Sequence, residues 1–171
     1  GAFWLKEAEK LGFLTHFIKM TDKNKVLVKR VNIIHDYNKI DHNTKNYLIP
    51  LEFICRHYVA GSLHDRINKG RIDPKELGFN KKTVEYGEKL PEPFIETSTK
   101  LEPVDRPLEK KEALRISKLT EEEYKNILET IIKMDSRMSK IVEKGGLIHV
   151  DGKKEFGMNE DRTLIFIDVF G

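Results

Sequence analysis

The 171-residue sequence contains a single cysteine, and it has no run of apolar residues long enough to span a membrane. Because Cys55 has no partner in the chain, no internal disulfide can form, and we expect a reducing, cytoplasmic location. The net charge is only +3, and basic residues alternate with acidic ones, so the sequence does not indicate nucleic-acid binding. These absences leave small molecules, including anionic ones, as the expected partners.

The ends of the sequence are also unusual. It begins at Gly1 directly on a helix-like pattern, and it stops at Gly171 just after an apolar stretch. We therefore interpret it as part of a longer protein. Hydrophobic residues make up 39% and charged residues 35%, a balance typical of a soluble globular protein.

Helical and strand-like patterns occur without regular alternation, which predicts an α+β fold. The predicted elements are a helix over 2–11, a hairpin of 13–20 and 25–34, a strand over 48–59, a helix after AGSL, and strands in LIHVDGKKEFG and LIFIDVF. Polar residues predict mostly loop over 35–46 and 69–92. Because four of the six prolines fall between residues 91 and 107, we expect no regular structure over 93–108.

The clearest helix is predicted over residues 121–143. Thr120 and Glu123 form a capping-box pattern at its start, and Gly145 and Gly146 end it. Apolar residues at helical spacing predict a buried stripe of Tyr124, Ile127, Leu128, Ile131, Met138 and Ile141.

The segment LIHVDGKKEFG predicts a strand with unusual charges. Alternation places Asp151, Lys153 and Glu155 on one face of this strand. The other face then carries Val150, Gly152, Lys154 and Phe156. If an even-numbered loop leads to the next strand, its single acid, Asp168, lies opposite Lys153 or Glu155, and two carboxylates could bind one Mg²⁺ ion. A salt-bridged strand face at a solvent edge is the alternative.

A second candidate site lies in LEFICRHYVAGSL. Glu52 and Arg56 are four residues apart and share one face of the predicted strand. In the AGSL turn that follows, Gly61 lets a phosphate approach the backbone, and Ser62 offers a hydroxyl and an amide. Arg56 could add a bidentate contact to the same phosphate. The alternative is an ordinary turn beside a surface arginine.

The remaining polar candidates are weaker. Lys100 and Asp105 lie in the proline-rich segment TSTKLEPVDRPL, and by themselves they indicate a solvated loop. The histidines show no HxxxH or HExxH spacing, so with a lone cysteine we expect no zinc site. Cys55 lies in an apolar strand and is interpreted as a core residue.

Taken together and in order, these segments resemble the phosphoribosylaminoimidazole-succinocarboxamide (SAICAR) synthetase family over nearly the whole chain. PLEFICRHYVAGSL looks like the family's P-x-E-x-x-x-R-x-x-x-x-G-S segment, and LIHVDGKKEFG looks like its L-x-V-D-x-K-x-E-F-G strand. TSTKLEPVDRPL is similar to its lysine loop, LIFIDV to its metal-binding strand, and KVLVKRV to its inter-lobe hinge. The family's glycine-rich N-terminal segment and its C-terminal region have no counterpart in this sequence.

The resemblance implies an ATP-grasp-like, two-lobed fold with antiparallel sheets packed against helices. Residues 1–47 would belong to an N-terminal ATP-binding lobe and hinge, and residues 48–171 to the second lobe. It also implies a ligase of purine biosynthesis that uses ATP and Mg²⁺. ATP would phosphorylate the carboxylate of carboxyaminoimidazole ribotide, and the amine of L-aspartate would displace the phosphate to form an amide. By family analogy we expect a homo-oligomer.

The resemblance further implies a role for each matched residue. The implied magnesium ligands, on the nucleotide side of the site, are Glu155 and Asp168. The implied catalytic residues are Asp151, Lys153, Lys100 and Asp105. The implied substrate-binding residues are Glu52, Arg56, Gly61 and Ser62. The backbone that would meet the adenine is that of Val28, Lys29 and Arg30.

Three positions depart from the family pattern. Val104 stands where a histidine is usual, Gly152 replaces an aromatic residue, and Val169 replaces a second acid. Two other functions stay open: a kinase-like domain acting on another phosphorylated metabolite, and a non-catalytic nucleotide-binding domain. The AGSL turn together with Lys100 and Asp105 favours the ligase, because a kinase would not need them.

Overall fold

In the computed structural model, which describes residues 1–168 and Phe170, helices and strands are mixed, and the predicted α+β class is confirmed. The helices are α1 (Ala2–Lys10), α2 (Gly61–Asn68), α3 (Lys110–Ser117) and α4 (Glu121–Lys144). The strands are β1 (Phe17–Asp22), β2 (Lys25–Val28), β3 (Tyr47–Tyr58), β4 (Lys89–Thr99), β5 (Pro107–Leu108), β6 (Asp151–Met158) and β7 (Leu164–Ile167). Short 3₁₀ helices cover Tyr37–Lys39 and Pro74–Leu77.

A five-stranded antiparallel sheet in the order β5-β4-β3-β6-β7 forms the framework. Its central strand, β3, pairs with β4 on one side and with β6 on the other, and the strand predicted over 48–59 is confirmed. The strands β1 and β2 form a separate antiparallel sheet. They confirm the predicted hairpin, although its strands are shorter than predicted and its turn is only Lys23–Asn24.

The main core lies between one face of the five-stranded sheet and the helices α1, α3 and α4. Within α4, four residues of the predicted stripe are buried, namely Tyr124, Ile127, Ile131 and Met138. The capping box is confirmed, because the N–H of Glu123 donates to Thr120 Oγ1 and the N–H of Thr120 donates to the Glu123 carboxylate. Gly145 ends the helix as predicted. None of the helices among the described residues is long and apolar enough to cross a membrane.

The N-terminal helix α1 packs on the main core. Its residues Leu5 and Ala8 are fully buried there, and its Glu7 accepts a hydrogen bond of 2.6 Å from Nη2 of Arg137 in α4. The helix predicted over 2–11 is thus confirmed. The division into lobes of residues 1–47 and 48–171 stays a prediction.

The prediction of irregular structure over 93–108 is confirmed for residues 100–106 but was wrong for residues 93–99, because β4 continues through Pro91 and Pro93, and for the short strand β5. Proline lacks an N–H donor, so it fits a strand only at a bulge or an unpaired edge. Here the pairing of β4 with β3 shifts register between Phe94 and Lys89, and β5 covers only Thr97 and Ser98 on the other edge. Both prolines lie between Lys89 and Phe94, where the pairing shifts register.

Two further segments differ from the prediction. The helix α3, which follows the proline-rich loop, was missed, and it buries Ala113 and Ile116 in the main core. The predicted strand in LIHVDGKKEFG begins only at Asp151, and Leu147 and Ile148 before it are exposed. Around α2, a second hydrophobic cluster is formed by Val59, Leu63, Ile67, Leu77, Phe79, Val84 and Leu90.

Candidate functional site

The face of the sheet opposite to the main core carries most of the predicted site residues. Residues with odd numbers in β3, such as Phe53 and Cys55, point into the main core. Those with even numbers, including Glu52 and Arg56, therefore point to the other face. Because Arg56 is four positions along the strand from Glu52, the two residues lie about 13 Å apart. The prediction that they share a face is confirmed.

Four charged side chains meet at Glu52. The Oε1 atom of Glu52 accepts hydrogen bonds from Lys100 Nζ at 2.9 Å and from Lys153 Nζ at 2.8 Å. Lys100 Nζ also lies 2.7 Å from Glu155 Oε1, and Lys153 Nζ lies 3.1 Å from the same atom. Glu52 and Glu155 are direct cross-strand partners. The two lysines therefore neutralise a like-charge pair that would otherwise destabilise the sheet.

Burial and ion pairing act against each other in this cluster. Burial raises the pKa of the Glu52 carboxyl, but the hydrogen bonds from Lys153 and Lys100 outweigh it, and the net shift is downward. Burial lowers the pKa of Lys100, but its bonds to Glu155 and Glu52 raise it well above the ordinary value. The bond to Glu52 likewise raises the pKa of Lys153. At neutral pH these three groups are charged.

Lys100 illustrates how far the fold changes the interpretation of an isolated residue. By itself it indicated a solvated loop, which was wrong, because it bridges two buried carboxylates. Asp105, its predicted companion, lies in an exposed turn beside Val104, which is 78% exposed. Within the described residues no hydrogen bond or ion pair joins Asp105 to the cluster around Glu52.

A second constellation surrounds Arg56, which is only 7% exposed. Its Nη2 donates to Ser62 Oγ at 3.1 Å, its Nε to Glu96 at 2.6 Å and its Nη1 to Asp151 at 3.3 Å. The alternative of a surface arginine beside an ordinary turn was therefore wrong. Arg66 of α2 donates to the other oxygen of Glu96. The guanidinium is held in one orientation next to the start of α2.

The AGSL segment is the first turn of a helix. Gly61, with a φ of +50°, begins α2, and Ser62 lies inside its first turn. No side chain caps this end of the helix, since the N-cap residue is Ala60. The backbone N–H groups at the start of α2 thus point outward beside the hydroxyl of Ser62 and the guanidinium of Arg56, an arrangement that suits an anion.

Asp168 does not lie opposite Lys153 or Glu155, the position expected for an even-numbered loop between β6 and β7. Five residues, 159–163, connect β6 to β7, so the loop is odd-numbered and Glu155 pairs with Ile167. Asp168 follows the end of β7, is exposed, and has a left-handed φ of +60°. It lies next to the half-buried ring of His16. Burial lowers the pKa of this ring, and the negative charge of Asp168 offsets part of that shift.

A cleft of about 350 Å³ lies between the segment after β2 and the turn that connects β6 to β7. Of the three predicted adenine-side residues, Lys29 and Arg30 line it and Val28 does not. The other lining residues are Val31, Asn46, Asn159, Glu160, Asp161 and Ile165.

An apolar patch borders this cleft on the same face as Glu52. It consists of the buried residues Leu48, Ile165 and Ile167 with Val31 and Leu101 packed against them. A Cβ on Gly157 would lie 3.0 Å from the carbonyl oxygen of Tyr47 and 3.4 Å from a methyl of Val31. The glycine of the EFG motif therefore permits close packing beneath the patch.

Sequence reasoning missed Glu96 and Arg66, which orient Arg56. The only available signal was an acid in a strand-like, apolar context, PFIETST, and the prolines before it hid the strand. Arg66 is four residues after Ser62, so a helix starting at Gly61 would have placed it one turn after that serine.

The whole chain is similar to one known family of proteins. The family model described as SAICAR synthetase matches residues 1–170. The phosphoribosylaminoimidazole-succinocarboxamide synthases of Thermoplasma volcanium and Thermoplasma acidophilum are 45% and 46% identical over 99% of this chain. The match covers 56% of each relative, so this chain spans about half the length of the curated relatives it matches.

Solved structures show the same fold. A SAICAR synthetase in complex with ADP superposes with a TM-score of 0.72 at 28% identity, over 98% of this chain and 59% of that one. The SAICAR synthetase of Pyrococcus horikoshii OT3 gives a TM-score of 0.71 at 27% identity, over 98% and 60%. These likenesses confirm the α+β architecture of antiparallel sheets packed against helices that the resemblance implied. On the family model, the relatives and the fold, the chain belongs to the SAICAR synthetase family.

Proposed function

We propose that this chain carries the nucleotide-binding and ribotide-binding core of an ATP-dependent ligase that joins L-aspartate to carboxyaminoimidazole ribotide. The observation that carries the proposal is the arrangement along one sheet face. An apolar patch, a lysine–carboxylate cluster and an anion-binding helix start follow one another along β3, at Leu48, Glu52 and Arg56. This order matches an adenine, a chain of phosphates and a phosphorylated second substrate.

ATP binding is supported at the cleft beside Lys29 and Arg30. Its apolar border, with Val31 and Ile165, suits a flat base. The similar SAICAR synthetase that was solved in complex with ADP supports nucleotide binding in the family. Val28 enters the proposal only through its place in the same segment.

Mg²⁺ is proposed to bind Glu155 together with Asp168. Both offer carboxylate oxygens, the ligands that Mg²⁺ prefers, and Glu155 already lies within hydrogen-bond distance of a cation, Lys100. When bound, the ion would neutralise charge on the transferring phosphoryl group. The residues Lys100 and Lys153 would then direct their ammonium groups to phosphate oxygens, since a second cation at Glu155 repels them. Glu52 keeps both lysines in reach.

The ribotide phosphate is proposed to bind at the start of α2. Ser62 would donate its hydroxyl, Gly61 allows backbone N–H groups to approach, and Arg56 supplies a guanidinium that three protein groups already orient. Asp151, at 3.3 Å from Arg56, would orient this guanidinium and face the imidazole end of the ribotide. These groups bind and position the substrate.

The chemical steps would take place between the two sites. The imidazole carboxylate attacks the terminal phosphorus of ATP, and ADP leaves; the aspartate amine then attacks the acyl carbon, and inorganic phosphate leaves. Lys153 and Lys100 would stabilise the charge that develops on the phosphoryl oxygens. Asp105, in the exposed turn after Lys100, is proposed to face the incoming aspartate amine and to accept its proton.

The test uses the intact protein that contains this chain. It is incubated with ATP, Mg²⁺, carboxyaminoimidazole ribotide and aspartate, and ADP and the succinocarboxamide product are measured with and without aspartate. Stoichiometric product that requires aspartate is expected. Steady ADP release without any aspartate-dependent product would favour the kinase-like function. Nucleotide binding without ADP release would favour the non-catalytic domain.

A further inference from the structure

The core face of β3 carries a polar cluster that the proposed ligase chemistry does not use. Cys55 and His57 project from this strand towards α4, from which Asp135 approaches them. Cys55 Sγ lies 3.9 Å from His57 Nε2, which lies 3.2 Å from Asp135 Oδ2. All three donor atoms lie within 4.8 Å of one another. One sulfur, one nitrogen and one oxygen at such separations suit a single tetrahedral metal ion.

His149, just before β6, can supply a fourth ligand. Its ring lies 5.0 Å from that of His57, centroid to centroid. Its Nδ1 lies 3.2 Å from Ser139 Oγ, a contact that fixes the orientation of the ring. Its Nε2 is buried and has no hydrogen-bond partner among the described residues. A buried nitrogen without a partner is costly, and a metal ion would satisfy it.

The space for this cluster exists because residue 152 is glycine. A Cβ on Gly152 would lie 2.7 Å from Lys154 Nζ and 3.1 Å from His149 Nε2. Any larger side chain would therefore occupy the volume in which these two nitrogens meet.

The buried ion pair of Lys154 with Asp135 explains only part of the arrangement. Lys154 is 1% exposed, and Asp135 is its ionic partner in the described structure. Each charge lowers the cost of burying the other. The pair leaves Nε2 of His149 without a hydrogen-bond partner among the described residues, although that nitrogen adjoins the same space.

We propose that Cys55, His57, Asp135 and His149 bind one Zn²⁺ ion between the sheet and α4. The thiol proton leaves to solvent as the sulfur–zinc bond forms, and Asp135 binds through Oδ2 while Lys154 stays on Oδ1. Zinc is the metal of choice because the ligands combine thiolate, imidazole and carboxylate. The site would fix β3, β6 and α4 to one another, and its role would be structural.

The site has a route to solvent. A groove of about 470 Å³ lies between β4 and α4, and the residues that line it include His57, Pro91, Ser136 and Ser139. The ion could enter along this groove without unfolding of the sheet. Sequence spacing could not reveal the site, because its ligands come from β3, α4 and the segment before β6.

The test measures metal binding by the intact protein, independently of its catalysis. Protein purified without a metal-affinity tag is treated with chelator to remove any bound metal. Zn²⁺ is then added, unbound Zn²⁺ is removed by dialysis, and the metal content of the protein is measured. About one zinc per chain is expected. Co²⁺ in its place should give visible bands typical of tetrahedral coordination and a near-ultraviolet band from the cobalt–sulfur bond.

Four variants locate the ion. Cys55→Ser should abolish the cobalt–sulfur band, and Gly152→Ala should weaken zinc binding at least about tenfold by filling the space beside His149. His42→Gln, in an exposed loop, is the matched control and should bind as the wild type does. Glu155→Gln should also bind one zinc, because that residue belongs to the proposed magnesium site.

Lys154→Met should strengthen the effect of zinc, whereas Cys55→Ser and Gly152→Ala should weaken zinc binding. Lys154→Met removes the ammonium beside Asp135 that repels a zinc ion, so zinc should raise the Tm of this variant by more than it raises the Tm of the wild type. The proposal is overturned if the wild type retains no zinc after dialysis, or if Cys55→Ser keeps the full amount. Loss of zinc only in Glu155→Gln would also overturn it, and would place the ion at the catalytic site.

Discussion

The ammonium of Lys100 lies 2.7 Å from Glu155 Oε1, although 55 residues separate the two in the sequence. One end of this contact comes from the proline-rich loop after β4 and the other from β6, on the far side of β3. The contact joins two residues to which the resemblance gave different roles, catalysis for Lys100 and magnesium binding for Glu155.

Replacement of Glu155 by Gln should lower kcat at least about 100-fold, because it removes a charged ligand from the proposed Mg²⁺ ion. Asp168→Asn should act in the same direction. Both variants should keep the wild-type far-ultraviolet circular dichroism spectrum. Steady-state kinetics at several Mg²⁺ concentrations check this, and the deficit should shrink as Mg²⁺ rises. Near-normal rates in both variants would show that the metal binds elsewhere. Glu92→Gln, on an exposed part of β4, serves as the control.

Replacement of Arg56 by Lys should raise KM for the ribotide about 10–100-fold, because lysine cannot reproduce a charged, forked contact to phosphate. The KM for ATP should change little, since Arg56 lies about 13 Å along β3 from Glu52. Initial-rate measurements with each substrate varied in turn check this. The control is Arg71→Lys at an exposed position. An equal rise in both KM values would contradict the separate placement of the two substrates.

Glu52 should contribute to a loss of stability in acid. Its pKa is lower in the folded chain than the ordinary value of 4.5, so its contribution is present in full above that pH and is lost as the pH falls through the folded value. Urea unfolding at a series of pH values below about pH 6 should show a steeper fall in the free energy of unfolding for the wild type than for Glu52→Gln. Equal slopes would mean that the lysines do not lower this pKa.

Replacement of Thr120 by Ala should lower the free energy of unfolding by about 1 kcal/mol, because it removes the acceptor for the N–H of Glu123 at the start of α4. Urea unfolding at neutral pH checks the value. Thr83→Ala, at an exposed position outside helices and strands, should change stability far less. If the two variants lost equal stability, the capping box would contribute nothing specific.

The elements that could be predicted are those whose signals are local. The strand β3 and the helix α4 follow from periodicity and from a capping box, and both were confirmed. The strand β4 was missed because its prolines predicted irregular structure. A strand tolerates them where its pairing with a neighbour shifts register, and that shift depends on the neighbouring strand β3. The short helix α3 was missed in the same proline-rich region.

The site was predictable as a set of residues and only partly as a geometry. Glu52, Lys153 and Glu155 share a face because strand alternation requires it. The position of Asp168 depended on whether the loop between β6 and β7 has an odd or an even number of residues. That number follows from where the two strands end, and their ends are set by the pairing between them. The burial of Lys154 could not be predicted, because its partner Asp135 lies on a distant helix.

The central strand also limits how this sequence can change. Leu48, Glu52 and Arg56, spaced four positions apart on this strand, would face the proposed adenine, phosphate and ribotide positions. Deletion of one residue between Glu52 and Arg56 would exchange the two faces beyond that point and bring Cys55 and His57 to the substrate side. Substitutions in β3 can therefore be tested one at a time, but its length cannot vary without loss of the whole site.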